Sequence, residues 1–139
     1  MLKHTLIHPG ILEAIGAAGH GARILIADGN YPASTQCGMN TERVYLNLTP
    51  GMPTVTQVLD ALLTAIPIEG AAVMAPPDGP DPDIFVEFSE RLSGINLDRL
   101  GRLPFYEAAG GDDTCLTIIT GEQRIYANLL LTIGVRMPG

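Results

Sequence analysis

The sequence predicts one α/β domain, residues 1–139, in which helices cover both faces of a mixed central sheet. Helical patterns alternate with short aliphatic runs along the chain, and each apolar helix stripe needs a sheet face to cover. Some connections between the aliphatic runs are too short for a helical crossover, which predicts mixed strand directions. The length of 139 residues fits one domain, and the 46% hydrophobic content is typical of a folded chain. We therefore expect a three-layer α/β/α domain.

The N-terminal part of the chain predicts a short helix followed by two strands. Residues Pro9 to Ala18 are expected to be helical, because Pro suits a first helical turn and Gly19 suits a left-handed C-terminal position. The compact apolar run from Arg23 to Ala27 is typical of a buried strand, and it ends at Asp28-Gly29-Asn30. Residues Arg43 to Leu48 alternate with period two, which predicts a half-buried strand.

The strongest helical signal begins at Thr54. Thr54 and Gln57 have the spacing of a capping box, and Pro67 is expected to end the helix. Apolar residues recur on one face of this helix, namely Val55, Val58, Leu59, Leu62, Leu63 and Ile66. A short strand is predicted at Ala71 to Ala75, before the loop from Pro76 to Pro80.

The C-terminal part of the chain predicts two more helical segments and two more strands. Asp81 is expected to cap a helix with Pro82 at its first position, and the inner face of that helix is Ile84, Phe85, Phe88 and Leu92. Pro104 to Ala109 predicts one or two helical turns. Cys115 to Thr120 predicts a central strand, and Leu129 to Val135 predicts the last strand.

Charge and composition exclude several classes of function. Eight Lys and Arg against fifteen Asp and Glu give a net charge of −7, so no nucleic-acid partner is expected. The longest dense apolar stretch, Leu129 to Ile133, is far below the ~20 residues that cross a bilayer, and the N-terminus lacks the apolar core of a signal peptide. We expect a cytoplasmic protein with no membrane partner. The apolar excess in so short a chain also predicts burial between subunits, hence a homo-oligomer.

The sequence also argues against metal and nucleotide cofactors. Cys37 and Cys115 lie in neither a CxxC pair nor a Cys/His cluster, and no other ligand-type residues have a recognised metal spacing. Gly19-His20-Gly21 precedes a strand instead of opening a helix and lacks a third glycine at the right spacing, which excludes a dinucleotide fingerprint. We therefore expect no cofactor and no metal.

A few polar residues are candidates for a site. His20 lies between two glycines, so its imidazole either faces a cleft or is a solvated or capping residue. Asp28 follows a buried strand, where α/β folds place ligand groups, or else it caps the turn made by Gly29-Asn30. Tyr126 and Asn128 share a face if the chain is extended there, and a hydroxyl beside an amide suits the hydroxyls of a sugar. Alternatively, Tyr126 is an ordinary amphipathic strand residue.

Four sequence blocks occur in the order and at the separations of one enzyme family. They are Met1-Leu2-Lys3 with His8-Pro9, Gly19-His20-Gly21 with Ile26 to Ala33, Phe105-Tyr106-Glu107, and Thr120-Gly121-Glu122 leading into Tyr126 to Leu131. Through them the chain resembles the ribose pyranase / fucose mutarotase family (RbsD/FucU), cytoplasmic enzymes that interconvert cyclic forms of free monosaccharides without a cofactor. The resemblance implies the fold of that family and ring-shaped homodecamers, with sites completed at subunit contacts by residues such as Tyr126 and Asn128.

The resemblance also implies roles for individual residues. It implies a general acid/base at His20, a sugar-binding carboxylate at Asp28, and substrate contacts from Arg102, Tyr126 and Asn128. An arginine at position 102 resembles the fucose branch, so the implied activity is L-fucose mutarotation, an isomerase reaction of fucose metabolism. The alternatives are a D-ribose pyranase-type reaction, a non-catalytic sugar-binding partner of a transport or catabolic system, and an unrelated oligomeric scaffold.

Mutarotation needs proton transfer at two oxygens, because the anomeric hydroxyl loses a proton while the ring oxygen gains one. An imidazole both gives and takes a proton near neutral pH, which makes His20 the candidate catalyst. Two roles stay open at this point. Asp28 either orients the imidazole or accepts a sugar hydroxyl, and Tyr126 either relays the second proton or only forms a hydrogen bond.

Overall fold

The computed structural model describes residues 1–139 and contains four helices and six strands. In chain order these are α1 (Pro9–Ala17), β1 (Arg23–Ala27), β2 (Glu42–Tyr45), α2 (Val55–Leu63), β3 (Ile68–Met74), α3 (Ile84–Arg91), β4 (Leu97–Leu100), α4 (Arg102–Ala109), β5 (Thr114–Ile119) and β6 (Leu129–Ile133). All six strands form one sheet in the order β2-β5-β1-β6-β3-β4. The longest helices have nine residues, and none is both long and apolar enough to span a membrane.

The strand β6 alone runs against the others. It pairs antiparallel with both β1 and β3, whereas β1 with β5, β2 with β5, and β3 with β4 are parallel pairs. The start of β6 therefore lies at the same edge of the sheet as the ends of the other five strands. We call this the carboxyl edge, after the C-terminal residues Ala27, Met74 and Ile119, and the opposite side, at Arg23 and Ile68, the amino edge. The predicted mixture of strand directions is confirmed.

The helices form two layers of unequal size around the sheet. Along β1, Ile24 and Ile26 belong to a cluster of 21 buried residues with α1, α2 and α3. Leu25 and Ala27 belong to a cluster of nine buried residues with α4 on the other face. This alternation is the period-two geometry of a strand with both faces covered. The predicted three-layer α/β/α class is confirmed.

The predicted start of the third helix is wrong. The residue that precedes α3 is Asp83, which makes no side-chain capping bond. Asp81 instead pairs through both carboxylate oxygens with Arg99 of β4. A bidentate pair of this kind occupies the oxygens that would otherwise accept helix N–H groups. Strand β4 itself was not predicted, because Leu97-Asp98-Arg99-Leu100 contains only two apolar residues.

Two further elements are shorter than their patterns predict. The capping box of α2 is present, but the helix ends at Leu63, and the Thr64 hydroxyl donates to the Ala61 carbonyl at 2.6 Å. Strand β2 ends at Tyr45, because the following residues turn and the Leu48 N–H bonds the Met52 carbonyl at 3.2 Å. The chain after β2 therefore forms a loop at the carboxyl edge.

Candidate functional site

Four of the five candidate residues surround one cavity at the carboxyl edge. Asp28 follows β1, Arg102 follows β4, and Asn128 precedes β6, so the sheet topology brings three distant segments together. These residues and Tyr126 line a cavity of about 310 Å³. The ends of parallel strands are the usual place for ligands in α/β sheets, and a space of this size accommodates one small molecule.

Asp28 is almost fully buried and connects β1 to the segment before β6. Its Oδ1 accepts the Asn30 N–H at 2.9 Å, and its Oδ2 accepts the Ala127 N–H at 3.2 Å. Its own N–H donates to Oδ1 of Asn128 at 2.8 Å. Asp28 therefore caps the turn at Gly29-Asn30 and also lines the cavity, so both roles considered for it from the sequence are compatible.

Burial raises the pKa of the Asp28 carboxyl, because the charged form loses hydration. The N–H groups of Asn30, Ala127 and Tyr31 act in the opposite direction, since they stabilise the carboxylate. The nearby negative charge of Glu122 raises the pKa further. The net result is a carboxyl that holds its proton to a higher pH than an exposed aspartate does.

We expect the stability difference between the wild type and Asp28→Asn to depend on pH. A raised folded-state pKa means that Asp28 contributes stability below its ordinary pKa of 3.8 and loses that contribution as pH rises through the folded-state value. The melting temperature of the wild type minus that of Asp28→Asn should therefore decrease from about pH 4 to about pH 7. A Glu13→Gln variant, at an exposed position of α1, is the control. A difference that stays constant over this range would contradict the raised pKa.

Tyr126 lies in a turn and not in a strand. Its φ of 57° is in the left-handed region, and β6 begins only at Leu129. The expectation that Tyr126 and Asn128 share a face of an extended segment is therefore wrong. Both side chains nevertheless reach the same cavity. Asn128 uses Oδ1 to hold the Asp28 N–H, which leaves its amide N–H groups as donors for a ligand.

Aromatic and apolar side chains also line the cavity. The Arg102 guanidinium lies 6.0 Å from the centroid of the Tyr106 ring. Tyr106 in turn contacts the edge of Tyr31 at a centroid distance of 5.5 Å. Met74 and Ile125 are the aliphatic residues of the lining. The cavity thus combines hydrogen-bonding groups with an apolar surface, a combination that matches the hydroxyls and C–H groups of a sugar.

An ion-pair network fixes the segment that leads to Tyr126, and sequence reasoning missed it. The buried carboxylate of Glu122 accepts Nε of Arg124 at 2.6 Å, and Arg124 also pairs with Glu87 of α3. Arg124 therefore connects this loop to α3, because it pairs with Glu122 in the loop and with Glu87 in the helix. A spacing of two residues in a loop carries no signal that would have predicted the contact.

The fifth candidate, His20, lies at the amino edge, away from the cavity. It precedes β1 whereas Asp28 follows it, and the five residues of β1 alone span about 16 Å at ~3.3 Å per residue. The His20 side chain is 58% exposed, and its Nε2 lies 2.9 Å from Oε1 of Glu69. Asp28 therefore does not orient the imidazole of its own chain. The Glu69 partner was not predicted either.

The fold is an α/β domain with a cavity of about 310 Å³ at the carboxyl edge of its sheet. The model of the RbsD / FucU transport protein family matches residues 1–136. The chain belongs to the RbsD/FucU family, as its sequence blocks indicate.

The relatives of this chain act on sugars. A fucose mutarotase of Bos taurus is 32% identical and aligns with 96% of this chain and 92% of its own length. A D-ribose pyranase of Symbiobacterium thermophilum is 27% identical and aligns with 97% of this chain and 98% of its own length.

Two solved structures have the same fold. The fucose mutarotase of Streptococcus pneumoniae in complex with L-fucose superposes with a TM-score of 0.80 at 27% identity, covering 98% of this chain and 100% of that one. RbsD of Bacillus subtilis complexed with D-ribose superposes with a TM-score of 0.85 at 23% identity, covering 99% and 100%. Relatives named fucose mutarotase and relatives named D-ribose pyranase thus resemble this chain to a similar degree.

Proposed function

We propose that this protein is a monosaccharide mutarotase that interconverts the α and β anomers of a free sugar, with L-fucose as its substrate. The observation that carries the proposal is the cavity in which Asp28, Arg102, Tyr126 and Asn128 meet beside an apolar surface. Relatives named fucose mutarotase and D-ribose pyranase support the reaction class, an isomerisation of a cyclic sugar. The apolar residues Met74 and Ile125 in the cavity lining support L-fucose as the sugar.

The reaction transfers two protons and involves no net oxidation or reduction. A base takes the proton of the anomeric hydroxyl, an acid gives a proton to the ring oxygen, and the C1–ring oxygen bond breaks to leave an aldehyde. The aldehyde rotates, and the reverse steps close the ring on its other face. His20 is suited to both proton transfers, because an imidazole exchanges protons near neutral pH. The Tyr126 hydroxyl is the group available to relay the second proton.

The remaining residues hold the sugar. The oxygens of Asp28 each retain a lone pair beyond the backbone N–H that they accept, so they can take a sugar hydroxyl. Arg102 and the amide of Asn128 are donors for further hydroxyls. Holding the ring at several points keeps the reacting oxygens aligned with the proton-transfer groups.

We infer that a second copy of the chain completes the site. His20 lies at the amino edge and is mostly exposed, whereas the cavity lies at the carboxyl edge. A neighbouring chain that packs its amino edge against this cavity would bring its own His20 to the sugar. Exposed apolar residues beside the cavity, Leu103 and Ile125, suit such a contact. A ring-shaped decamer in the cytoplasm is the assembly that we propose.

The apolar side of the cavity favours a deoxysugar. Met74 and Ile125 present hydrocarbon next to the polar residues, and the Ile125 side chain is largely exposed at the rim. L-Fucose carries a methyl group where L-galactose carries a hydroxymethyl group. A methyl group gains from contact with hydrocarbon, whereas a hydroxyl placed there loses its hydration.

We expect Ile125→Asn to reduce the preference for L-fucose over L-galactose. Losing about one methyl contact, worth ~0.8 kcal/mol, should lower the ratio of kcat/KM for the two sugars about four-fold. The measurement is anomer exchange with each sugar by saturation-transfer NMR. Val86 is also an exposed apolar residue, but it lies on α3 and does not line the cavity. Val86→Asn is therefore the matched control and should leave the ratio unchanged. An unaltered ratio in Ile125→Asn would remove this residue from substrate selection.

The proposal is tested by anomer-exchange NMR with L-fucose, D-ribose, L-rhamnose and galactose. We expect the protein to accelerate exchange of L-fucose most. Fastest interconversion of ribopyranose and ribofuranose would instead support the pyranase reaction, which the D-ribose pyranase relative favours. A rise in melting temperature with sugar but no exchange would indicate a binding protein, and no rise with any sugar would indicate a scaffold.

A further inference from the structure

We propose that Arg124 is a positioning residue that ties the loop in front of β6 to α3 and thereby sets how tightly the protein binds its sugar. This role rests on the proposed function and adds to it a contact outside the cavity. The part of the loop concerned is residues 123–126, which we call the apex. The apex carries Ile125 and Tyr126, and both side chains line the cavity.

The two ends of the apex are held by the residues that follow β1. Before the apex, the Gly29 N–H donates to the Glu122 carbonyl at 2.9 Å. After it, the Ala127 N–H donates to Oδ2 of Asp28 at 3.2 Å. Between these anchors, no backbone group of residues 123–126 forms a hydrogen bond to another backbone group. A loop without such bonds opens at a low cost in free energy, so the position of the apex depends on its side chains.

Arg124 supplies the ion pairs that hold the apex. Its Nε donates to Oε1 of Glu122 at 2.6 Å, and its guanidinium also pairs with the carboxylate of Glu87 in α3. The helix α3 is itself fixed, because Phe85 and Phe88 are buried in the larger hydrophobic cluster. A planar guanidinium has enough N–H donors to bind two carboxylates at once. Arg124 therefore connects a weakly held loop to a rigid helix.

The two carboxylates contribute differently to this arrangement. The Glu122 side chain is only 3% exposed, so replacing Arg124 would leave a buried charge without a partner and would lower stability. Glu87 lies at the surface, where the loss of one ion pair costs little stability. Removing the Glu87 charge therefore frees the apex from α3 while the buried pair between Glu122 and Arg124 remains.

A loose apex weakens sugar binding without changing the chemistry. Tyr126 offers its hydroxyl and Ile125 its hydrocarbon to the cavity only when the apex lies where the structure places it. If the apex occupies that position for a fraction of the time, the apparent affinity for the sugar falls by that fraction. The bound sugar then orders the apex, so the proton transfers proceed as before. Arg124 and Glu87 therefore act on KM and not on kcat.

The same contact makes the binding of an uncharged sugar sensitive to salt. Dissolved ions screen the attraction between exposed charges, and the pair between Arg124 and Glu87 is partly exposed. L-Fucose has no charge of its own to be screened. A rise of KM with salt that depends on Glu87 therefore reports on this ion pair.

The test compares Glu87→Gln with Glu90→Gln, which removes the same charge from an exposed position of α3. Saturation transfer with L-fucose gives kcat and KM at low and at high NaCl concentration. At low salt we expect KM to rise roughly two- to five-fold in Glu87→Gln, the effect of one exposed ion pair, with kcat within about two-fold of the wild type. High salt should raise the KM of the wild type and of Glu90→Gln and leave that of Glu87→Gln nearly unchanged.

Two further measurements separate the contact with α3 from a general effect on folding. Hydrogen exchange followed by mass spectrometry reports on the loop without any sugar, and the Ala127 N–H should exchange faster in Glu87→Gln than in the wild type. Arg124→Met should raise KM and also lower the melting temperature, because Glu122 loses its partner. Adding Glu87→Gln to Arg124→Met should not raise KM further, since the contact is already lost.

A Glu87→Gln variant with the KM and the Ala127 exchange rate of the wild type would overturn the proposal. An equal rise of KM in Glu90→Gln would do the same, as would a lower kcat at unchanged KM in Glu87→Gln. Failure of the proposed function has a different signature. The wild type would then accelerate anomer exchange of no sugar, whereas the Ala127 N–H would still exchange faster in Glu87→Gln.

Discussion

His20→Ala is expected to lower the rate of L-fucose anomer exchange by roughly 10²–10⁴-fold, the usual contribution of a general acid/base. The reason is that no histidine lines the cavity, so the residues around it offer no other imidazole. His8 uses its Nδ1 to accept the Ile11 N–H at the start of α1, at 3.2 Å, and His4 is exposed near the N-terminus. The loss should appear in kcat, because His20 is assigned to proton transfer and the sugar is held by residues of the carboxyl edge.

The structure offers a matched control for this substitution. His4→Ala removes an exposed imidazole from the same end of the chain and should leave exchange unchanged. His20 is itself exposed, so His20→Ala should melt close to the wild type. Saturation-transfer NMR measures the rates, and circular dichroism measures the melting. Exchange in His20→Ala within about two-fold of the wild type would end the assignment of this residue as the catalyst.

Mixing two inactive variants is expected to restore activity. His20→Ala retains the cavity, and Asp28→Asn retains the imidazole, so a chain of each kind can form one intact site at a shared contact. Random assembly of equal amounts should give intact groups at about one quarter of the sites. The two chains are unfolded and refolded together so that they assemble at random, and exchange of L-fucose is then measured. We expect each variant alone to have a rate near zero and the mixture to reach a substantial fraction of the wild-type rate.

A second mixture controls for nonspecific rescue. A chain carrying both His20→Ala and Asp28→Asn, refolded with His20→Ala alone, has no source of the imidazole and should remain inactive. If the first mixture also remains inactive although native mass spectrometry shows assemblies that contain both variants, the site does not combine the amino edge of one chain with the carboxyl edge of another. The separation of these edges within a chain makes this experiment decisive for the proposed arrangement.

Much of the fold follows from local patterns in the sequence. The apolar run at β1 predicts a buried strand, and the capping box at α2 predicts the start of a helix. Both signals lie within a few consecutive residues, so they can be recognised without knowledge of the tertiary contacts. The position of Asp28 at a strand end also predicts its place at the carboxyl edge. Arg102 was a candidate only through the family resemblance, and it lines the same cavity as Asp28, Tyr126 and Asn128.

Other features depend on contacts that no local pattern encodes. Strand β4 has too few apolar residues to be recognised, and it exists because it pairs with β3. Asp81 binds Arg99 of that strand, so it does not cap α3. The left-handed Tyr126 depends on hydrogen bonds across the site, among them the one from the Ala127 N–H to Asp28. The Glu69 contact depends on a bulge whose register only the paired strands define.

The position of His20 and Asp28 at opposite ends of β1 has a consequence for how activity varies with protein concentration. On the proposed site, each chain gives an imidazole to one neighbour and receives one from another, so the contact is head-to-tail. Such a contact must close into a ring if it is not to grow without end, and a closed ring contains as many sites as chains. Each complete site then needs two chains in contact, and the rate per chain should fall on dilution as rings dissociate into single chains that each hold two unmatched halves.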